Sequence, residues 1–95
     1  MNIVERTVER DAIFEEIHDE RERQDATWGE AVNRQLPLTI WLTVLVEEVG
    51  EVAQDILKHR RDNLRIELIQ TAAVAVAMLE CLDDASWGVN ESDAG

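Results

Sequence analysis

The chain has 95 residues, 45% of them apolar, and sets 9 Lys+Arg against 21 Asp+Glu for a formal charge of −12. That length allows one small domain with a modest core. The charge excludes a nucleic-acid backbone or an anionic membrane as partner, and any anionic ligand would need a divalent metal to mediate the contact. A single cysteine, Cys81, leaves no intrachain disulfide and fits a reducing cytosol. The opening residues lack the basic start and apolar stretch of a signal peptide. The weakly polar run Thr71–Leu79 is too short to span a bilayer. The expected location is cytoplasmic.

Four glycines, one proline and no strand-like alternation predict an all-α chain. A first helix is expected from about Asn2 to Gln24, with Val4, Val8, Ile13, Phe14 and Ile17 as a narrow apolar stripe among Glu/Arg pairs. Asp25–Leu36 reads as a connection, broken by Trp28-Gly29 and followed by Pro37. A second helix is expected from near Pro37, with the proline in its first turn, to about Lys58. On it Leu45, Val49, Val52 and Ile56 fall on one buried-type stripe. Gly50 in mid-helix suggests close approach by another helix. His59-Arg60-Arg61 makes a short connection, and Asp62 or Asn63 is expected to cap a third helix, roughly Asn63–Asp83. That helix is apolar nearly all round from Leu68 to Leu79, which implies a packed oligomer built on its alanine-rich run. The domain is expected to span residues 1–86, with 87–95 as a flexible tail.

Glu47, Glu48 and Glu51 lie beside the apolar stripe, Glu48 and Glu51 one turn apart. Glu67 and Gln70 repeat that spacing on the third helix, on a face that continues as Thr71, Val74, Met78 and Cys81. A short connection makes the helices antiparallel, and the midpoint between the two polar pairs falls at His59. Folding there brings the pairs level. Carboxylates pressed together raise each other's pKa unless a cation sits among them, and this oxygen set suits Mg²⁺ or Mn²⁺.

Glu47-Glu48-Val49-Gly50-Glu51 followed by Glu67-Leu68-Ile69-Gln70 resembles the EExxE…ExxD signature of the MazG-like all-α nucleoside triphosphate pyrophosphohydrolases. The 15 residues between Glu51 and Glu67 match that family's spacing. The run ERERQDATWG, Glu20–Gly29, is similar to the segment leading into the second helix of small, phage-type members. The resemblance covers roughly Glu16 to Leu82. It implies a MazG-like four-helix-type bundle, a helical hairpin plus the N-terminal helix, completed as a homodimer or a dimer-of-dimers tetramer. It implies hydrolysis of an NTP or dNTP between the α and β phosphates, giving monophosphate and pyrophosphate. Glu48, Glu51 and Glu67 would be metal ligands, joined by Gln70, with Glu48 and Glu47 carrying the chemistry and Glu47 orienting water. Gln70 departs from the family's aspartate, which lowers the charge available to a second metal.

Trp41, seven residues before Glu48, and Trp28 on the neighbouring loop are candidate base platforms, although Trp41 reads first as core packing. Gln24 is a further candidate contact. Lys58, Arg61 and Arg65 could hold the distal phosphates, or could simply be solvated charge near helix ends. His18 and His59 read as surface or turn histidines, and Cys81 as a buried, inert thiol. The reading from another class is a non-catalytic acidic helical module that binds nucleotide or a protein partner.

Overall fold

The computed structural model describes residues 2–84. Asn2 opens helix α1 (Ile3–Trp28) with a capping box. Its side-chain oxygen accepts from the Glu5 N–H at 2.9 Å, and the Glu5 carboxylate accepts from the Asn2 N–H at 3.3 Å. Every residue from 2 to 16 is exposed, so the stripe Val4, Val8, Ile13 and Phe14 is not buried by the described residues. Burial begins at Ile17 and continues through Glu20, Arg21, Gln24 and Asp25.

The helix outruns the expected end at Gln24. An i,i+4 ion pair from Arg21 to Asp25, at 2.9 Å, supports the last turns. Gly29 then stops the helix at φ +88°, its N–H bonding back to the Asp25 carbonyl. The expected connection also holds a single helical turn, α2 (Ala31–Arg34), which ends as Gln35 turns left-handed at φ +50°.

Pro37 is the N-cap of α3 (Leu38–Leu57) rather than a first-turn residue. The connection to α4 (Arg61–Asp83) is a helix-ending motif in which His59 takes φ +55°. There Arg60 N–H reaches the Asp55 carbonyl and His59 N–H the Ile56 carbonyl. The Asp55 carboxylate, 5% exposed, is neutralised by Arg60 Nε at 3.0 Å. Because this turn closes so tightly, α4 starts at once. Its N-cap is Arg60, without a side-chain bond, and neither Asp62 nor Asn63 caps it. Asp62 instead places a negative charge in the first turn, where the helix dipole favours it.

The core lies where α2, α3 and α4 meet. Ala31, Trp41, Val74, Ala77 and Cys81 are buried, with Leu36, Val44, Leu45 and Met78 packed against them. Helix α1 crosses α4 and is tied to it by Arg65–Glu16 and Arg21–Glu80, each at 2.6 Å. The inward face of α3 differs from the expected stripe. Val49 and Ile56 are 51% and 55% exposed, whereas Trp41, Glu48 and Asp55, seven residues apart, face inward. That rotation turns Glu48 from the border of the apolar face into its middle. Among the described residues nothing lies within 4 Å of where a Cβ on Gly50 would sit, so no described helix needs the glycine. The tail expected from residue 87, with Trp87, lies outside the described residues. No helix of the described residues is long and apolar enough to cross a membrane.

Candidate functional site

The hairpin brings its acids together. Glu48 and Glu51 from α3 and Glu67 from α4 each offer one carboxylate oxygen, all within 4.8 Å of one another. Glu48 and Glu67 are half-buried, and Glu51 is exposed. Oε2 of Glu48 and Oε2 of Glu67 are shut off from water and accept no hydrogen bond from any described residue. Two oxygens stripped of water without a donor are costly unless a proton or a cation lies between them.

The titration of the pair follows from that placement. Burial, the close carboxyls of Glu51 and Glu48, and their charges together push Glu67 up from 4.5 to about 7. Burial raises Glu48 as well; the contact with Glu67 offsets this in part, and the charges of Glu51, Glu20 and Glu47 add to it. Glu47 itself is exposed and contributes to the site through its field.

A divalent cation fits this donor set. The centre of a triangle with such sides lies at most about 2.8 Å from each oxygen, a small side-chain adjustment from the roughly 2.1 Å of a Mg²⁺–oxygen bond. All three donors are hard oxygens, which suits Mg²⁺ or Mn²⁺. Gln70, one turn on from Glu67 and half-buried, lines the same wall as Glu48. The Thr71 hydroxyl donates to the Glu67 carbonyl at 2.7 Å and so stays within α4.

Glu48 also lines a cavity of 420 Å³ among α1, α2, α3 and α4. Trp28, Trp41, Gln24 and Gln70 line it. Trp41 is 3% exposed and carries the Arg34 guanidinium 5.3 Å over its ring, so its face is covered and its role is core packing and an edge. Trp28 is 66% exposed at the rim. Gln24 is held by Arg21 and by Glu20, at 3.2 Å each.

Of the three basic candidates, Arg65 borders a depression that adjoins this cavity and shares Glu20, Arg23 and Gln70 with it. Arg65 is bonded to Glu16. Arg61 borders a separate depression at the hairpin turn, and Lys58 is the C-cap of α3. The turn stands about 10 Å along the helices from the carboxylates. None of these three lines the cavity that holds Glu48.

Sequence reasoning passed over Arg21, Glu20, Arg23 and Arg34, all of which line that cavity. Arg21 is 6% exposed and bonds Glu80, Asp25 and Gln24. Its spacing from Ile17 and Gln24 on one face was the available signal. Arg34 gives none, because the sequence around it carries no helical periodicity. The class defined so far is an all-helical hairpin with a three-carboxylate cluster beside a cavity lined partly by tryptophan. Comparison with protein-family models, with the curated proteins and with solved structures finds no match to this chain.

Proposed function

We propose that this chain is a metal-dependent nucleoside triphosphate pyrophosphohydrolase of the MazG-like all-α kind, cleaving NTP or dNTP between the α and β phosphates. The observation that carries the reading is the convergence of Glu48, Glu51 and Glu67 within 4.8 Å, with two of their oxygens orphaned. The matching motif spacing and the cavity opening from Glu48 support it.

Glu48, Glu51 and Glu67 would hold Mg²⁺ or Mn²⁺, with the Gln70 amide oxygen beside them. When bound, the cation supplies Lewis acidity toward the phosphates and acidifies an attacking water. Glu47, exposed next to Glu48, orients that water and accepts its proton. Trp28 and Gln24 bound the space for the nucleoside. A protein of charge −12 repels a triphosphate in bulk, so the cation is what makes the pairing possible. Lys58 and Arg61, at the hairpin turn, act through long-range attraction, while Arg65 lines an adjoining depression that shares Glu20, Arg23 and Gln70 with the cavity.

We place the association surface of a homodimer or tetramer on α3 rather than on the alanine run of α4. Ala73 and Ala77 are consumed by the chain's own interior, while Leu38, Leu42, Val46, Val49 and Ile56 stand exposed along α3. Patches of that kind mark association sites in small proteins. A cytoplasmic location accords with the single free cysteine, Cys81.

Gln70 favours a second reading, a non-catalytic module of the same fold that binds nucleotide or a protein partner, because an amide stands where the resembled motif has a carboxylate. The test is pyrophosphate release from a panel of NTPs and dNTPs with Mg²⁺ or Mn²⁺. Release by wild type that disappears in Glu48→Gln is the expected result. Release only in Gln70→Asp favours the binding module, and no release from any of the three sinks the catalytic reading.

A further inference from the structure

We infer that Arg34, carried by α2, binds the terminal phosphate of the nucleotide, so that the cavity beside the carboxylates selects triphosphates over diphosphates. This rests on the nucleotide reading of the site and adds to it the residue that meets the far end of the phosphate chain. It follows from setting each charge that lines the cavity against the charge that answers it.

A chain with 9 Lys+Arg and 21 Asp+Glu offers a carboxylate to almost any cation it folds inward. Among the described residues two arginines are withdrawn from solvent, Arg21 and Arg34, and both line the cavity. Arg21 donates to Glu80, Asp25 and Gln24. The third cation of the wall, Arg23, is exposed and donates twice to Glu20. Arg34 differs from both. Its guanidinium lies 5.3 Å over the Trp41 ring, and its side chain makes no hydrogen bond or ion pair with any described residue. A stack attracts the charge but fills none of the guanidinium N–H donors. The acids of the wall do not answer it, since Glu20 is bound by Arg23 and Glu48 belongs to the carboxylate cluster. Gln24 and Gln70 bring oxygens but no charge. Among the described residues, then, the cavity holds one half-buried positive charge without its complement, which is what an anionic group of a ligand supplies.

Its position decides which anion. Trp41 lies seven residues before Glu48, about 10 Å along the α3 axis. A guanidinium stacked on Trp41 is therefore set back from the carboxylates rather than placed among them. With the α and β phosphates at the carboxylates, where the bond breaks, two parts of a nucleotide extend further: the nucleoside and the γ-phosphate. The nucleoside is uncharged, and Trp28, Val44 and Val74 give it aromatic and apolar wall. The γ-phosphate carries the charge and the acceptor oxygens that a guanidinium fork matches. Arg34 meets it from a fixed base, because Ala31, 3% exposed, anchors α2 in the core and the Trp41 ring orients the fork.

The test is calorimetric titration, in Mg²⁺, of wild type, Arg34→Met, Arg34→Gln, Arg34→Lys and Arg10→Met with the α,β-methylene analogues of ATP, UTP, ADP and UDP. A triphosphate holds Mg²⁺ more tightly than a diphosphate whatever the protein does, so the readout is the triphosphate-to-diphosphate affinity ratio of each variant against that of wild type. Arg34→Met and Arg34→Gln should each lower the ratio by about tenfold, the loss of a charge-assisted hydrogen bond. Diphosphate affinity and Mg²⁺-dependent thermal stabilisation should persist. Arg34→Lys, which keeps the charge without the fork, should restore part of the ratio. Arg10→Met removes the same charge from an exposed position on α1 and should leave the ratio unchanged. Arg34→Gln keeps the test alive if Arg34→Met does not fold. Equal affinities in wild type, no binding of any analogue, a ratio that survives the neutral substitutions of Arg34, or an equal fall in Arg10→Met would overturn the inference. Pyrophosphate release from the natural triphosphates is scored separately. A ratio that depends on Arg34 without release removes the hydrolase reading and leaves this one standing; release with a ratio indifferent to Arg34 does the reverse.

Discussion

Glu48 and Glu67 face each other across the α3–α4 seam, and each has an Oε2 that is buried and receives no hydrogen bond from the described residues. With Glu51 alongside, the cation-free hairpin holds mutual repulsion at its centre. Replacing Glu67 by the isosteric Gln should therefore stabilise the cation-free protein at pH 8 by about 1 kcal/mol, a rise in Tm of roughly 4–8 °C for a domain of this size. The same variant should lose the rise in Tm that Mg²⁺ gives wild type. Scanning calorimetry with EDTA and with Mg²⁺ reads both effects.

The same repulsion sets a pH dependence. Glu67 titrates near 4.5 when unfolded and is raised to about 7 in the fold. A raised carboxylate contributes stability that is fully present below pH 4.5 and is lost as pH climbs through 7. The cation-free protein should therefore unfold at lower urea concentration at pH 8 than at pH 5.5. Saturating Mg²⁺ should reverse the trend, because the cation binds the deprotonated carboxylates. Urea midpoints in EDTA that do not fall across this window would contradict the assignment.

Arg21 locks α1 against the site. It is nearly buried and spends its donors on Glu80, Asp25 and Gln24. Arg21→Met leaves those acceptors without their donor and should cost about 2 kcal/mol in urea denaturation. Glu80→Gln should cost less than about 1 kcal/mol, because Glu80 is 47% exposed and Arg21 keeps Asp25.

Gln70 lines the cavity wall next to Glu48 without adding charge. Gln70→Asp should raise Mg²⁺ affinity by about tenfold in calorimetric titration, since affinity for hard cations follows the charge count of the ligands. It should also lower the stability of the cation-free protein at pH 8, by adding a carboxylate to the cluster.

The helices and the meeting of the acids were legible because each depends on spacing along one chain. The i,i+3 pairs and the short connection at His59 were enough to place Glu67 against Glu48 and Glu51. The rotation of α3 was not legible. Trp41, Glu48 and Asp55 face inward because α2 supplies Ala31 to the core and Arg60 neutralises Asp55, and neither effect is local to the α3 pattern. The stripe through Val49 and Ile56 was correctly apolar, but burial in the chain does not follow from apolarity when a face is left over. Helix α2 was hidden because a single turn between two left-handed or glycine breaks has no periodicity to read, and Arg34 was hidden with it. For the basic turn the sequence left two readings, phosphate contact or solvated charge near helix ends, because charge is visible in sequence and distance from the cavity is not.

Binding of Mn²⁺, followed by the loss of its free-ion electron paramagnetic resonance signal, tests the carboxylate site most directly. Wild type at pH 7.5 should remove the signal saturably, and Glu48→Gln and Glu67→Gln should each leave it in solution at the same concentrations. Wild type that binds no Mn²⁺, or variants that bind it equally well, would contradict a cation site at these residues.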